Sequence, residues 1–214
     1  MITLYNYWRS GTSHRVRIAL ALKGVDYDYV PLNLLAGEHK DDAYRAMNPQ
    51  GLVPALAVDG HVLTQSPAIL EWIEESWPEP PLLPKDRFDR ARVRAMAALV
   101  ECDIHPINNL RVLNTLKADF DADRAAVLNW IARWISEGFM ALELMLGRDK
   151  VRGDYCFGNA PSLAECCLIP QVYAARRFDV DLTPFAAITA IDAACAKLPA
   201  FIAAAPENQP DAKR

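Results

Sequence analysis

Apolar and polar positions alternate from Ile2 to Asn6, the pattern of a strand with one buried face. Beyond a polar turn, Val16, Ile18, Ala19, Leu20 and Leu22 recur at helical spacing within Arg15–Leu22, and Gly24 closes that helix. Tyr27–Leu32 reads as a second strand, parallel to the first because a helix joins them. A short helix is expected over about 40–47. Val53–Val58 and His61–Leu63 then flank Asp59-Gly60, a strong hairpin signal. Ser66-Pro67 supplies an N-cap and a first-turn proline for a helix that runs to about Trp77. The predicted order is βαβαββα.

Pro78-Glu79-Pro80-Pro81-Leu82-Leu83-Pro84 holds four prolines and continues neither a helix nor a central strand, so it reads as a stiff connector. After it, strand-like alternation disappears. Helical stretches are predicted at about Asp89–Leu116, Ala122–Leu146, Ser162–Ala175 and Phe185–Ala196, with His105-Pro106 kinking the first. Ser162-Leu163-Ala164-Glu165 has the form of a capping box, which helix initiation explains fully. Gln209–Arg214 reads as a polar, disordered tail. Two domains are therefore expected: an α/β domain over 1–84 and an all-helical bundle over 85–214.

Composition narrows the class. The 214 residues are 52% hydrophobic and 23% charged, enough for real cores in one large or two modest domains. A net charge of −4 disfavours nucleic acid and anionic membrane surfaces as general partners, so any basic site must be local. No apolar run has the length of a membrane span and the first residues lack a signal-peptide pattern, which makes a cytoplasmic location the expectation. Cys102, Cys156, Cys166, Cys167 and Cys195 are odd in number and lack paired spacing. They suggest buried, reduced thiols rather than a zinc site or a disulfide framework, and no metal is expected.

The chemically informative stretch lies where the first strand meets the first helix. Ser10, Thr12 and Ser13 crowd one helix start. Unpaired N–H groups and about half a positive charge sit there, and three hydroxyls add donors, so an anion would be stabilised at that corner. Taken alone, the same residues also suit simple helix capping.

This βαβαββα domain, with Val53-Pro54 before its hairpin, Gln65-Ser66 at the last helix start and a helical second domain, resembles the glutathione transferases. Ser10-Gly11-Thr12-Ser13-His14-Arg15-Val16-Arg17-Ile18-Ala19-Leu20 is closely similar to the zeta-class signature, with Gly11 and Thr12 where that class has serine and cysteine. Cys102-Asp103-Ile104-His105-Pro106-Ile107-Asn108-Asn109 looks like the maleylacetoacetate and maleylpyruvate isomerases of that class. The resemblance spans essentially the whole chain. It implies a thioredoxin-like, glutathione-binding first domain, a helical second domain for substrate binding and dimerisation, glutathione as cofactor and a homodimer.

The resemblance also implies site residues. Ser10 matches the serine that stabilises the glutathione thiolate, and Thr12 is a second donor or a spacer. Lowering a thiol pKa from about 8.5 by about 2 units takes about 2.7 kcal/mol. One hydroxyl bond to a charged group contributes roughly 1.5–3 kcal/mol and a helix terminus about 0.3–2, so a serine at a helix start suffices. Val53, before a proline that is cis in the family, would pair its backbone with the cysteinyl unit. Gln65 and Ser66 would hold the γ-glutamyl carboxylate, and His39 and Gln50 would face the glycyl end and backbone. His105, with Asp103, Asn109 and Arg111 nearby, is assigned to the glutathione and substrate cleft, Asp103 alternatively reaching across a dimer interface. Arg9 and Arg176, with Arg111 as a third positive charge, would hold a dicarboxylate substrate, because a carboxylate pairs best with a guanidinium fork. At least one of Arg176 and Arg177 would instead complement its helix dipole.

The implied activity is glutathione-dependent cis–trans isomerisation of a maleyl dicarboxylate, maleylpyruvate or maleylacetoacetate, in aromatic-compound or tyrosine catabolism. Two other readings stay open: a transferase conjugating glutathione to haloacids or other electrophiles, and a non-catalytic interaction module of the same fold.

Overall fold

The computed structural model describes residues 1–148 and 152–212. The chain divides into two compact units, one of Met1–Leu82 with Lys197–Arg214 and one of Leu83–Ala196. The second crossing differs from the single boundary expected after residue 84.

Unit 1 is built on a four-stranded sheet in the order β2-β1-β3-β4, formed by β1 (Ile2–Asn6), β2 (Asp28–Pro31), β3 (Ala55–Val58) and β4 (His61–Thr64). β1 pairs parallel with β2 and antiparallel with β3, setting Leu4 opposite Leu56, both fully buried. At the β3–β4 hairpin Asp59 and Gly60 have φ of 48° and 84°, the positive pair that a type I′ turn requires. The helices of this unit are α1 (Gly11–Lys23), α2 (Asp42–Met47), α3 (Ser66–Ser76) and α9 (Pro199–Ala204), the last numbered in chain order. α1 packs against α3 and α9. Its polar residues Ser13, His14, Arg15 and Arg17 are buried along with Val16, Ile18 and Leu20, so this helix has no solvated face of the usual kind.

The proline-rich connector is tied to unit 1 by a buried ion pair. Lys23 Nζ donates to Glu74 Oε2 and to Pro80 O, both at 2.6 Å, and Glu74 Oε2 also accepts from Leu82 N–H at 2.9 Å. The expected disordered tail is a correction. Gln209 is buried and donates to Ala203 O and Ala205 O, each at 2.8 Å, and Asp211 Oδ2 accepts from Trp8 N–H at 3.1 Å; the Lys213 and Arg214 part of the tail lies outside the described residues.

Unit 2 contains α4 (Arg87–Ala98), α5 (Leu110–Asp119), α6 (Arg124–Arg148), α7 (Leu163–Arg177) and α8 (Ala186–Cys195). The helix expected over 89–116 is broken rather than kinked. A π-helical turn, Leu99–Ile104, and a 3₁₀ turn, Pro106–Asn108, separate α4 from α5. Two contacts accompany the break. Trp130 Nε1 donates to Ile107 O at 2.9 Å, and Gly138 on α6 lets Ile104 approach so closely that an added Cβ would lie 2.4 Å from its side chain. The capping box forms as its sequence implies: Ala164 N–H donates to Ser162 Oγ at 3.2 Å and Ser162 N–H to Glu165 Oε2 at 2.7 Å.

Candidate active site

In unit 1 the chain leaves β1 through a turn and begins α1 at Ser10, whose extended backbone (φ −71°, ψ 122°) suits a helix cap. Ser10 Oγ accepts from Ser13 N–H at 3.3 Å and lies 2.9 Å from Thr12 Oγ1. Thr12 Oγ1 donates to Val53 O at 2.8 Å. A threonine hydroxyl has one proton, and a carbonyl can only accept. The proton of the Ser10–Thr12 bond therefore belongs to Ser10, which can turn it to a stronger acceptor without breaking the tie to Val53. Ser13 does not join them, since its hydroxyl is fully enclosed without a hydrogen-bond partner.

Val53 is held from several sides. Its bond to Pro54 is cis, and the preceding carbonyl, Leu52 O, accepts from the Tyr44 hydroxyl at 2.6 Å and Asn48 Nδ2 at 2.7 Å. Burial is the leading cause that raises the Tyr44 phenol above its ordinary pKa. The sequence reading overlooked Tyr44 and Asn48, because nothing local marks them as supports for a loop that follows.

At the start of α3 the cap is Gln65, not Ser66 as expected from Ser-Pro. Gln65 takes φ 68° and ψ 112°, a positive-φ backbone that costs about 1–3 kcal/mol in a residue with a long side chain. Its amide Nε2 donates to Gln50 Oε1, joining two of the expected ligands. Ser66 is buried one position further in, and its Oγ accepts from the buried Arg15 guanidinium at 3.2 Å. Cation, hydroxyl and helix start thus add to one positive potential, the chemistry a carboxylate needs. His39 lies in a 3₁₀ turn with Nδ1 buried and unpartnered; burial, then Lys40 and Arg45, lower its pKa, with Asp41 opposing, and favour the neutral ring. Arg9 stacks over the Trp8 ring at 5.1 Å.

In unit 2 the expected residues gather around the broken helix. Asp103 and Arg111 are exposed; His105 and Asn109 are half-buried. His105 N–H donates to Val100 O at 2.9 Å, closing the π turn. Asn109 caps α5, its Oδ1 accepting from Arg111 N–H at 3.2 Å, so helix initiation accounts for its side chain. Arg176, on the last turn of α7, pairs with Asp192 of α8 at 2.6 Å, while Arg177 stacks over Phe178. One edge of the Arg176 fork is therefore already committed, a partner that helix periodicity could not indicate. Among the described residues no group of three or more His, Cys, Asp or Glu side chains could hold a metal ion, and no helix is long and apolar enough to cross a membrane.

Residues 1–75 match the glutathione S-transferase N-terminal domain. The chain is 59% identical over 208 residues to the maleylpyruvate isomerase of Ralstonia sp, covering 97% of this chain and 98% of that protein. A holo structure of maleyl pyruvate isomerase, described as a bacterial zeta-class glutathione S-transferase, superposes with a TM-score of 0.97 at 58% identity, covering 99% of this chain and 100% of that one. The maleylacetoacetate isomerase of Anaeromyxobacter dehalogenans 2CP-1, solved with dicarboxyethyl glutathione and citrate in its active site, gives a TM-score of 0.89 at 44% identity, covering 100% and 98%. With near-complete coverage at such identity, the chain belongs to the maleylpyruvate and maleylacetoacetate isomerase family of zeta-class glutathione transferases.

Proposed function

We propose that this protein is a glutathione-dependent cis–trans isomerase acting on maleylpyruvate or maleylacetoacetate. The observation that carries this reading is the Ser10 hydroxyl at the start of α1, whose proton rests on Thr12 and can move to an anion. The relative holding dicarboxyethyl glutathione supports it from outside, since that ligand joins a glutathione sulfur to a dicarboxylate.

The donor set of unit 1 suits a tripeptide thiol. Ser10 and the α1 N–H groups would take the sulfur, the Val53 backbone the cysteinyl unit, and Ser66 with Gln65 the γ-glutamyl carboxylate, beside Arg15. Gln50 and the neutral His39 ring would receive the remaining amide and glycyl groups. When bound, glutathione supplies a thiolate that adds to the cis double bond and leaves again once the resulting single bond has rotated. Ser10 turns its hydroxyl from Thr12 to the sulfur and so favours the ionised form. Thr12 stays on Val53 O and keeps that loop against α1. Arg9 holds a substrate carboxylate and offsets the enolate-like charge that addition creates. Arg111 and Arg176 are the further carboxylate holders taken from the resemblance, with Asp192 orienting the Arg176 fork. Asp103, His105 and Asn109 complete the assigned set.

Unit 1 is the proposed glutathione-binding part and unit 2 the part for substrate binding and dimerisation. A homodimer in the cytoplasm fits the resemblance and the five free cysteines, four of them buried.

The test is to supply both maleyl substrates with and without glutathione. Trans product should form only when glutathione is present, and the glutathione concentration should stay constant. Stoichiometric consumption of glutathione would favour the transferase reading instead.

A further inference from the structure

The turn that carries Arg9 and Ser10 is gripped from two sides by groups the proposed chemistry leaves unused. Ser10 N–H donates to Tyr7 O at 3.0 Å, closing a four-residue turn with Trp8 and Arg9 at its centre. Neither central residue is a turn former such as glycine, proline, asparagine or aspartate, so local sequence does little to select one conformation. Long-range contacts supply the selection. On one side the Arg17 guanidinium donates to Trp8 O at 2.8 Å, Asn6 Oδ1 at 2.9 Å and Tyr7 O at 3.5 Å, while its Nε donates to Ala204 O at 3.1 Å, the end of α9. On the other side Asp211 Oδ2 accepts from Trp8 N–H at 3.1 Å, and Oδ1 accepts from the Tyr29 hydroxyl of β2. The peptide groups on both sides of the Trp8 Cα are thereby pinned, the N–H by a carboxylate and the C=O by a guanidinium.

We infer that Asp211, with Arg17 opposite it, is a positioning residue for thiolate formation: by holding the Trp8 backbone it keeps the Ser10 hydroxyl aimed at the sulfur. This rests on the glutathione reading above. Hydroxyl-to-sulfur geometry tolerates little error, and a turn free to rock would spread the Ser10 Oγ over positions that miss the thiolate. The segment after α9 then belongs to the site through the Trp8 backbone that Asp211 holds.

The sign of the effect separates this role from a simple charge effect. An anion acting through space disfavours a second anion, so deleting it would lower the thiol pKa. A carboxylate acting by positioning Ser10 does the reverse. The experiment follows the ultraviolet absorbance of bound glutathione thiolate against pH in the full-length protein, for wild type, Asp211→Ala and Asp211→Asn. Asp211→Ala is expected to move the midpoint up by about one unit, a roughly threefold loss of thiolate at neutral pH, with kcat falling alongside and the glutathione KM little changed. Asp211→Asn keeps an acceptor for Trp8 N–H and should recover most of the loss. A midpoint that stays put or falls in Asp211→Ala overturns the inference. If that variant does not fold, Tyr29→Phe, which frees the carboxylate's other anchor, should shift the midpoint upward by less, and no shift there overturns it equally. A wild-type protein without any thiolate signal would remove the glutathione reading and this inference with it, whereas a normal wild-type signal beside an unmoved Asp211→Ala removes the inference alone.

Discussion

Replacing Ser10 by alanine deletes the one hydroxyl whose proton is available at the α1 start, and the loss can be worked through from its contacts. Ser10 Oγ accepts from Ser13 N–H and donates to Thr12 Oγ1, so folding loses a helix cap, about 0.5–2 kcal/mol. The bound thiolate loses a charge-assisted hydrogen bond, roughly 1.5–3 kcal/mol. At 1.36 kcal/mol per unit, the thiol pKa rises by about 1–2 units, and from a starting value about 2 units below the ordinary 8.5 the thiolate population at neutral pH falls about 4- to 40-fold. The α1 N–H groups remain, so activity should be crippled rather than abolished. The assay is kcat at saturating glutathione, with thermal melting to show that the variant is folded at the assay temperature. Thr12→Val is the paired control. Its hydroxyl proton is committed to Val53 O, so its removal costs about 1 kcal/mol of stability but leaves Ser10 its donor. Its kcat should stay within about threefold of wild type. Equal losses in the two variants, or a Ser10→Ala enzyme with nearly full turnover, would refute the assignment of protons on which the reasoning stands.

Three further outcomes are expected. Lys23→Met strands the buried Glu74 carboxylate and should cost about 3–5 kcal/mol in urea unfolding; a loss below about 1 kcal/mol would show that Glu74 is not confined. Burial, then Arg17, lower the His14 pKa well below its ordinary value, so the unfolded chain takes up the proton first and stability falls as pH drops below about 6.5. The stability advantage of wild type over His14→Asn should therefore shrink on acidification from about pH 7 to about pH 5, and a constant gap would contradict that. Gly138→Ala drives a Cβ into Ile104 and should cost about 1–3 kcal/mol; combining it with Ile104→Ala should cost less than the sum of the two single changes, and strict additivity would show that the contact is not tight.

Local physics explains which features could be read in advance. The alternation of Ile2–Asn6, the Asp59-Gly60 hairpin and the Ser162–Glu165 box each depend on a few adjacent residues, and each formed as expected. The hydroxyl turn was legible too, but which hydroxyl keeps its proton depends on Val53 O, 41 residues further along. The return of α9 to unit 1 was hidden for the same reason, since it rests on packing against α1 and on contacts such as an Arg17–Ala204 bond spanning 187 residues. Pro106 announced a disturbance in the helix over 89–116, yet the π turn also involves the room that Gly138 leaves on another helix. Arg176 could be seen at a helix end, whereas its Asp192 partner arrives from α8.

A crystal structure of this protein with bound glutathione tests the centre of the account most directly. The sulfur should lie within hydrogen-bonding reach of Ser10 Oγ at the start of α1, with Thr12 Oγ1 still donating to Val53 O. A sulfur turned away from that corner, or one held by Thr12 with Ser10 uninvolved, would contradict it.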